Sequence, residues 1–304
     1  MCGKNVKAMN IRYILVVLGV ALAGVCQAQV RQNVEQGDVT DVGHKEYYAL
    51  VDSAEICVKS GDFEGAEEFV KRALKLEPAN VSNSLLMNNM ATFQRYQGKY
   101  EKALQTYNAA IKMTPNAVTL IKNRASLYLE MDSLDSALKD YERIMNLDAG
   151  ELEARYYHAM IAMQREDVDV AKEDVDALMT IAPKSKLAQE AKAKFSRRWG
   201  DVRIALKIYS DQIDKAKKPT SLMYSNRAEC YLQLKLLNEA ANDIRKAIEL
   251  DPKDGYLYLL RAKLNKLWYN ETDKRADITK AVELGLDREY AERMVDGPKK
   301  TPQK

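Results

Sequence analysis

Hydrophobic and polar residues follow no strict alternation along this chain, and no apolar run is framed by the turn dipeptides that border β-strands. Hydrophobic residues nevertheless make up 46% of the 304 residues, which is enough to build a buried core. Glycine and proline are few, with 13 and 7 occurrences, so helices are rarely interrupted. The pattern therefore predicts an all-α chain.

Small residues recur along the predicted helices at a nearly constant period. One set is spaced by 37, 34, 34, 34, 35 and 34 residues, and consists of Ala54, Ala91, Ala125, Ala159, Ala193, Ala228 and Ala262. A second set follows 12 residues later, and consists of Ala66, Ala103, Ala137, Ala171, Ala205 and Ala240. Prolines that stop a helix recur in the same register, at positions 78, 115, 183 and 252. Self-similarity at this period indicates a stack of repeated helical units.

A 34-residue period with these small residues resembles the tetratricopeptide repeat. The turn of that family, a glycine followed by a polar and a large residue, has counterparts at Gly61-Asp62-Phe63, Gly98-Lys99-Tyr100 and Gly200-Asp201-Val202. The large aromatic residue of its second helix corresponds to Tyr107, Tyr141 and Tyr209. The resemblance implies an all-α, right-handed superhelical solenoid of about seven hairpins. It also implies that the small residues lie where the helices of a hairpin cross.

The repeat register predicts the organisation of the chain. The seven repeats are expected at residues 47–80, 84–117, 118–151, 152–185, 186–219, 221–254 and 255–288. Residues 29–46 are expected to form a flexible lead-in, residues 289–296 a capping helix, and residues 297–304 a disordered basic tail. Repeats five and seven depart from the pattern, the latter with Lys274 where a small residue is expected, so either could be a weak point.

The first 28 residues have the order of an export signal. Basic residues precede an uncharged, mostly apolar run at 13–25, and Cys26 and Ala28 supply small residues before the expected cleavage site. Cleavage after Ala28 would leave Gln29 first. A lipoprotein with Cys26 lipidated is the alternative, although Val25 fits a lipidation motif poorly. We therefore predict a periplasmic or secreted protein whose mature chain has no membrane span.

The charge balance and the rare residue types exclude several function classes. Removal of the signal leaves 44 basic and 44 acidic residues, which gives no reason to expect binding to nucleic acid. Only two histidines occur, His44 and His158, and no zinc, phosphate-loop or nucleophile-elbow motif is found. Cys57 and Cys230 are read as core residues rather than a disulfide framework. We predict no enzyme activity, no metal and no cofactor.

In the family that the chain resembles, the first helix of each repeat lines a concave groove that holds a peptide. The residues expected to point inward are Asn88, Asn89, Arg95, Lys122, Asn123, Ser126, Leu129, Tyr156, Met160, Met163, Lys194, Arg197, Arg198, Asn226, Lys263 and Lys266. The asparagines at 89, 123 and 226 share one repeat position, and amides of such a ladder both donate to and accept from a peptide backbone.

Each group of groove residues has a plainer explanation. The asparagines could simply be common at that position, the apolar residues from Leu129 to Met163 could pack on the adjacent hairpin, and the basic residues could form a solvated face. The set of side chains with which chaperone-binding family members clamp a carboxylate cannot be assembled here. We predict an exported scaffold for an unknown protein or peptide. The alternative is a structural component of an envelope assembly or secretion complex that acts through self-association.

Overall fold

The computed structural model describes residues 42–297. Within this range the chain forms helices only. They are α1 (Val42–Lys59), α2 (Phe63–Leu76), α3 (Asn83–Tyr96), α4 (Tyr100–Met113), α5 (Val118–Glu130), α6 (Leu134–Leu147), α7 (Leu152–Arg165), α8 (Val168–Ile181), α9 (Lys186–Trp199), α10 (Val202–Lys215), α11 (Ser221–Gln233), α12 (Leu237–Leu250), α13 (Gly255–Leu267), α14 (Glu271–Glu283) and α15 (Arg288–Asp296). The predicted all-α fold of repeated hairpins is confirmed.

Two helix boundaries bear on the predicted organisation. Helix α1 begins at Val42, so residues 42–46, which we expected in a flexible lead-in, are helical. Helix α15 ends at Asp296 and Gly297 follows it with φ +86°, a left-handed conformation that glycine adopts without strain. The predicted signal at 1–28 and most of the predicted tail lie outside the described residues.

The described chain divides into two compact units, 42–158 and 159–297, and the division falls within α7. The first unit contains the hairpins α1–α2, α3–α4 and α5–α6. The second contains the hairpins α9–α10, α11–α12 and α13–α14, followed by α15. In both units the first helix of a hairpin packs on the second, and the second packs on the next hairpin.

The alanines of the sequence repeat lie at the helix crossings. Fully buried members occur in both units, for example Ala91 and Ala103 in one hairpin and Ala228 and Ala240 in another, all 0% exposed. Beside them, the large residues Tyr107, Tyr141 and Tyr209 are also buried. A methyl side chain lets the helices approach closely, and the large side chain of the second helix fills the remaining space. One face of each first helix is therefore buried at the crossing.

In three hairpins the two helices are joined by an arginine–aspartate ion pair that we did not predict, and the aspartate is buried in each. In each, an arginine of the first helix donates from two nitrogens, Nε and a terminal nitrogen, to the carboxylate of the aspartate 16 residues later. The pairs are Arg124 with Asp140, Arg227 with Asp243 and Arg261 with Asp277. The closest N–O distance is 2.6 Å in each pair. Two hydrogen bonds from one guanidinium fix the relative rotation of the helices as well as their contact. The signal was present in the sequence as an Arg–Asp spacing that recurs in register with the alanines.

The first unit also contains a buried carboxylate that several donors stabilise. Lys71 Nζ lies 3.0 Å from Glu67 Oε1, and Lys102 Nζ and Gln94 Nε2 also donate to that oxygen. Burial of the Glu67 carboxyl would raise its pKa, but these hydrogen bonds outweigh burial and lower the pKa from 4.5 to about 2. The ionised form of Glu67 is therefore bound more favourably in the folded state than in the unfolded state.

We expect Glu67→Gln to destabilise the protein by about 2 kcal/mol at neutral pH, because it removes a charged acceptor of several hydrogen bonds. Because the folded-state pKa is depressed, this contribution is present above pH 4.5 and is lost as the pH falls towards 2. Urea unfolding of both proteins at several pH values measures the difference. The exposed neighbour Glu68, changed to Gln, is the control. A difference between wild type and E67Q that stays constant with pH would contradict the assignment.

One residue in the turn of most hairpins has a left-handed backbone. Glycine occupies this position at Gly61 and Gly98, with φ +80° and +72°. Later hairpins have Asp132, Glu166, Lys235 and Tyr269 there, with φ between +55° and +63°. A residue with a Cβ is strained in this conformation by about 1–2 kcal/mol. Tyr269 is 92% exposed, so packing does little to compensate for the strain.

We expect reciprocal substitutions at this turn position to shift stability in opposite directions. Gly98→Ala should destabilise the protein by about 1 kcal/mol, because it introduces the left-handed strain. Tyr269→Gly should stabilise it by up to about 1 kcal/mol, after allowance for the greater chain entropy of glycine in the unfolded state. Tyr269→Ala, which retains the strain, is the control. Thermal unfolding checks this, and equal effects of the Gly and Ala variants at 269 would contradict it.

Candidate functional site

The residues predicted to line a groove all lie on first helices of hairpins. In the first unit they lie on α3, α5 and the first turns of α7, and in the second unit on the end of α7 and on α9, α11 and α13. The crossings bury one face of each of these helices, so the opposite face carries the candidate binding surface. Which of the predicted residues are accessible there depends on what each side chain contacts.

The asparagines of the first unit bind largely to each other. Asn123 Nδ2 donates to Asn88 Oδ1 at 2.7 Å, and Asn88 Nδ2 donates to Asn89 Oδ1 at 3.4 Å. Asn88 and Asn123 are buried, whereas Asn89 is half-buried. In the second unit, Asn226 of α11 is half-buried as well. Asn89 and Asn226 are therefore the accessible members of the predicted ladder.

The cationic side chains of the first unit are paired with carboxylates of the next hairpin or helix. Arg95 of α3 donates from Nε and a terminal nitrogen to both oxygens of Glu130, at 2.9 and 2.7 Å. Lys122 of α5 lies 2.9 Å from Glu153 and 3.7 Å from Glu151. Burial would lower the pKa of the Arg95 and Lys122 side chains, but their carboxylate partners raise it overall. Both side chains thus connect neighbouring helices.

The apolar residues and Ser126 offer little exposed surface. Leu129, Tyr156 and Met163 are buried, and only Met160 is half-buried. Ser126 is half-buried and lies beside the hydroxyl of the buried Tyr141. Leu129, Tyr156 and Met163 therefore pack inside the protein, as the plainer explanation of these residues expected. Of the four apolar residues that we predicted for the groove, Met160 is the one with a partly exposed side chain.

In the second unit, Lys194 and Arg197 of α9 have acidic partners. Lys194 Nζ lies 3.1 Å from Glu190 on the same helix. Arg197 forms an ion pair with Glu229 of α11, and the second oxygen of Glu229 accepts a hydrogen bond from the Tyr256 hydroxyl of α13 at 2.5 Å. The three first helices of this unit are thus linked by a chain of polar contacts.

Two further basic residues contact helix ends rather than open surface. Arg198 donates to the Met163 carbonyl at 2.9 Å and to Glu166 at 2.8 Å, at the end of α7. Lys266 donates to the Val295 carbonyl at 3.0 Å and lies 3.5 Å from the Asp296 carboxylate, at the end of α15. Cations at a helix C-terminus complement the helix dipole. Lys266 therefore helps to hold the capping helix.

Lys263 of α13 differs from the other six basic residues of the predicted site. It is half-buried, and no carboxylate within the described part of the chain forms an ion pair with it. Burial lowers the pKa of its ammonium, and the nearby Arg197 lowers it further. It is the member of the set whose charge is uncompensated by the chain between residues 42 and 297.

Residues 42–297 contain no cluster of three or more histidine, cysteine, aspartate or glutamate side chains arranged to hold a metal ion. No helix in this range combines the length and apolar character needed to cross a membrane. The two cysteines of residues 42–297, Cys57 and Cys230, are free thiols. Burial raises the pKa of Cys230 to about 11, so this thiol stays protonated at neutral pH.

The chain is similar to known proteins that contain the tetratricopeptide repeat. Models of the tetratricopeptide repeat match residues 47–80, 89–151 and 221–254. The crystal structure of a tetratricopeptide repeat protein from Parabacteroides merdae superposes with a TM-score of 0.70 and 28% identity, over 83% of this chain and 98% of that one.

Curated relatives share part of the chain. Hsp70-Hsp90 organizing protein 1 of Glycine max is 27% identical over 191 residues, which are 50% of this chain and 33% of that protein. Stress-induced-phosphoprotein 1 of Caenorhabditis elegans is 26% identical over 211 residues, 66% of this chain and 61% of that protein. The chain thus spans about a third of the first of these relatives and less than two thirds of the second.

We expect Asp296→Asn to loosen α15, because Asp296 is the shared carboxylate of Lys266 and of the buried Lys274, whose Nζ lies 3.1 Å away. A partly exposed ion pair contributes about 0.2–1 kcal/mol, so amide hydrogens of α15 should exchange about two- to fivefold faster. Hydrogen-exchange mass spectrometry measures this. The control is Asp135→Asn, at an exposed position far from α15 in the sequence. Asp287→Asn would not serve, because the Asp287 side chain caps the N-terminus of α15. Unchanged exchange would contradict the anchoring role.

Proposed function

We propose that this chain, which belongs to the tetratricopeptide repeat family, is a scaffold that binds a partner polypeptide through the exposed faces of the first helices of its hairpins. The observation that carries the proposal is the set of polar side chains left accessible there. Asn89 and Asn226 occupy the same repeat position on α3 and α11, and both are half-buried. An accessible amide can donate to and accept from a peptide backbone, which is the chemistry needed to hold an extended chain.

The relatives support a binding role and leave the partner open. One is named as an organizing protein for Hsp70 and Hsp90, which describes a protein that holds other proteins. The chain covers only a part of it, and the side chains expected for a chaperone-tail clamp could not be assembled from the sequence. The proposed partner of this chain is therefore a different polypeptide.

The proposed location is the periplasm or the outside of the cell. It rests on the sequence of residues 1–28, where basic residues precede an apolar run and a small-residue cleavage site. Edman sequencing of the protein from the exported fraction would test cleavage after Ala28, and a lipid-modified Cys26 at the N-terminus would overturn it.

The amide proposal is tested with residues 29–304 as bait in an extract of the exported fraction. A protein captured by the wild type is identified by mass spectrometry, and its affinity is then measured by calorimetry. We expect the double variant Asn89→Ala and Asn226→Ala to bind about tenfold more weakly, because each lost hydrogen bond contributes about 0.5–1.5 kcal/mol.

The matched control replaces two exposed asparagines on second helices, Asn146→Ala and Asn242→Ala. Circular dichroism checks that all variants keep their helix content. Equal affinity of the test and control variants would show that binding uses another face. If no partner is captured and light scattering finds a large assembly, self-association replaces the scaffold proposal.

A further inference from the structure

A groove lies between the last two hairpins of the second unit. Residues of α12, α13 and α14 line it together with Trp268, which directly follows α13. Its volume of about 500 Å³ is in the range of known ligand sites, and Ile244, Ile248 and Leu264 give it apolar surface. None of the residues that we predicted for the first-helix surface borders this groove, so it is a separate site from that of the proposed function.

Two small side chains open the groove. Ala241 of α12 occupies a repeat position at which three other hairpins have leucine, namely Leu104, Leu138 and Leu206. Ala276 of α14 occupies a position at which the other six hairpins have a longer polar residue: Glu68, Gln105, Lys139, Glu173, Lys207 and Asn242. Both alanines line the groove. The space therefore results from departures of this sequence from its own repeat.

The charges around the groove leave one carboxylate without a cation. Two arginines and three carboxylates border the groove, which gives it a net charge of −1. Both arginines are already paired, Arg245 with Glu249 at 3.0 Å and Arg261 with Asp277 at 2.6 Å. The third carboxylate, Asp273, accepts a hydrogen bond from the Asn270 amide at 2.7 Å, and no basic residue between 42 and 297 forms an ion pair with it. One cation from outside the described chain would neutralise the groove.

The two tryptophans of the chain, Trp199 and Trp268, occupy the same repeat position in the fifth and seventh hairpins. In the fifth hairpin the Arg198 guanidinium lies 4.4 Å from the centre of the Trp199 ring and also pairs with Glu166 at 2.8 Å. In the seventh hairpin Leu267 stands in place of the arginine, and Trp268 is 45% exposed. No arginine or lysine of residues 42–297 lies over its ring. The indole face that the chain covers in one hairpin is thus left open in the other.

We propose that this groove binds one arginine side chain of a partner polypeptide, with the guanidinium over the Trp268 ring and its charge balanced by Asp273. The apolar stem of the arginine would cover the apolar surface of the groove, as long basic side chains do elsewhere. Arginine fits better than lysine, because a planar guanidinium can stack on an indole and hydrogen-bond to a carboxylate at the same time. The contact repeats, with an arginine from outside, the arrangement that Arg198 makes within the chain.

The probes for this site are two short peptides of glycine and serine, blocked at both ends, with one central arginine or with citrulline in its place. Citrulline keeps the shape of arginine but has no charge, so it measures binding that does not need the cation. Each tryptophan gives one indole N–H signal in a ¹⁵N NMR spectrum of the protein, and the spectrum of W268F assigns that of Trp268. The arginine peptide should shift the Trp268 signal until it saturates and leave the Trp199 signal in place. The citrulline peptide should shift neither.

The concentration dependence of the Trp268 signal also gives the affinity of variants. Asp273→Asn should weaken binding of the arginine peptide by about fivefold or more, because it removes the charge that faces the guanidinium. Ala241→Leu should weaken binding by about tenfold or more, because it fills the groove with the residue that three other hairpins carry. The matched control is Glu239→Gln, at the repeat position of Asp273 but on α12 and outside the groove, and it should bind within about twofold of wild type. Circular dichroism checks that the variants keep their helix content.

The arginine site is wrong if the Trp268 signal does not respond to the arginine peptide, if the citrulline peptide binds equally well, or if A241L binds as tightly as E239Q. Two other occupants would be recognised before any peptide is added. A Trp268 signal that changes when residues 298–304 are removed would assign the groove to the lysines of that segment, and one that changes with protein concentration would assign it to a second copy of the chain. Either result would overturn the proposal of an arginine from a partner. Loss of a captured partner from the Asn89 and Asn226 variants tests the proposed function alone, so the two proposals fail independently.

Discussion

The close crossing of two helices at alanine is the constraint on which the rest of this structure depends. Alanines of both helices, such as Ala125 and Ala137, are fully buried, and a larger side chain at either place would push the backbones apart. The crossing determines which face of each helix is buried, and therefore which residues are left exposed on the candidate binding surface. Lys274 shows how the constraint can be relaxed: it stands at an alanine position, stays buried, and extends its ammonium to Glu271 and Asp296.

With the helices held by these crossings, many of the remaining polar side chains form hydrogen bonds and ion pairs with one another. Arg95 reaches Glu130, which is 35 residues later and one hairpin away, and Arg198 reaches Glu166 in the preceding hairpin. These contacts follow the repeat, since side chains one period apart lie on the same face of neighbouring helices. They connect hairpins to each other in the way that the Arg124–Asp140 pair connects two helices within a hairpin. Charge on the surface is thus used largely within the chain.

The fold could be predicted from the sequence because its determinants are local and repeated. The spacing of alanines and the closing prolines place each hairpin without knowledge of any long-range contact. The site was harder to predict, since exposure depends on what a neighbouring hairpin places next to a residue. Asn88 and Asn89 are adjacent in sequence, yet only Asn88 is buried, where it accepts from Asn123. Similarly, Lys266 was expected on the binding surface, and it contacts the end of α15.

This distribution of partners decides which charges can contribute to affinity. A ligand carboxylate that replaces Glu130 at Arg95 exchanges one ion pair for another and leaves Glu130 partly buried and unpaired, so its net gain is small or negative. Lys263, by contrast, forms no ion pair with a carboxylate of residues 42–297, so an acidic group that reached it would displace no partner in the described chain. The number of basic residues on such a surface is therefore a poor guide to the acidity of its partner. The residues that matter are those for which the fold provides no counter-ion.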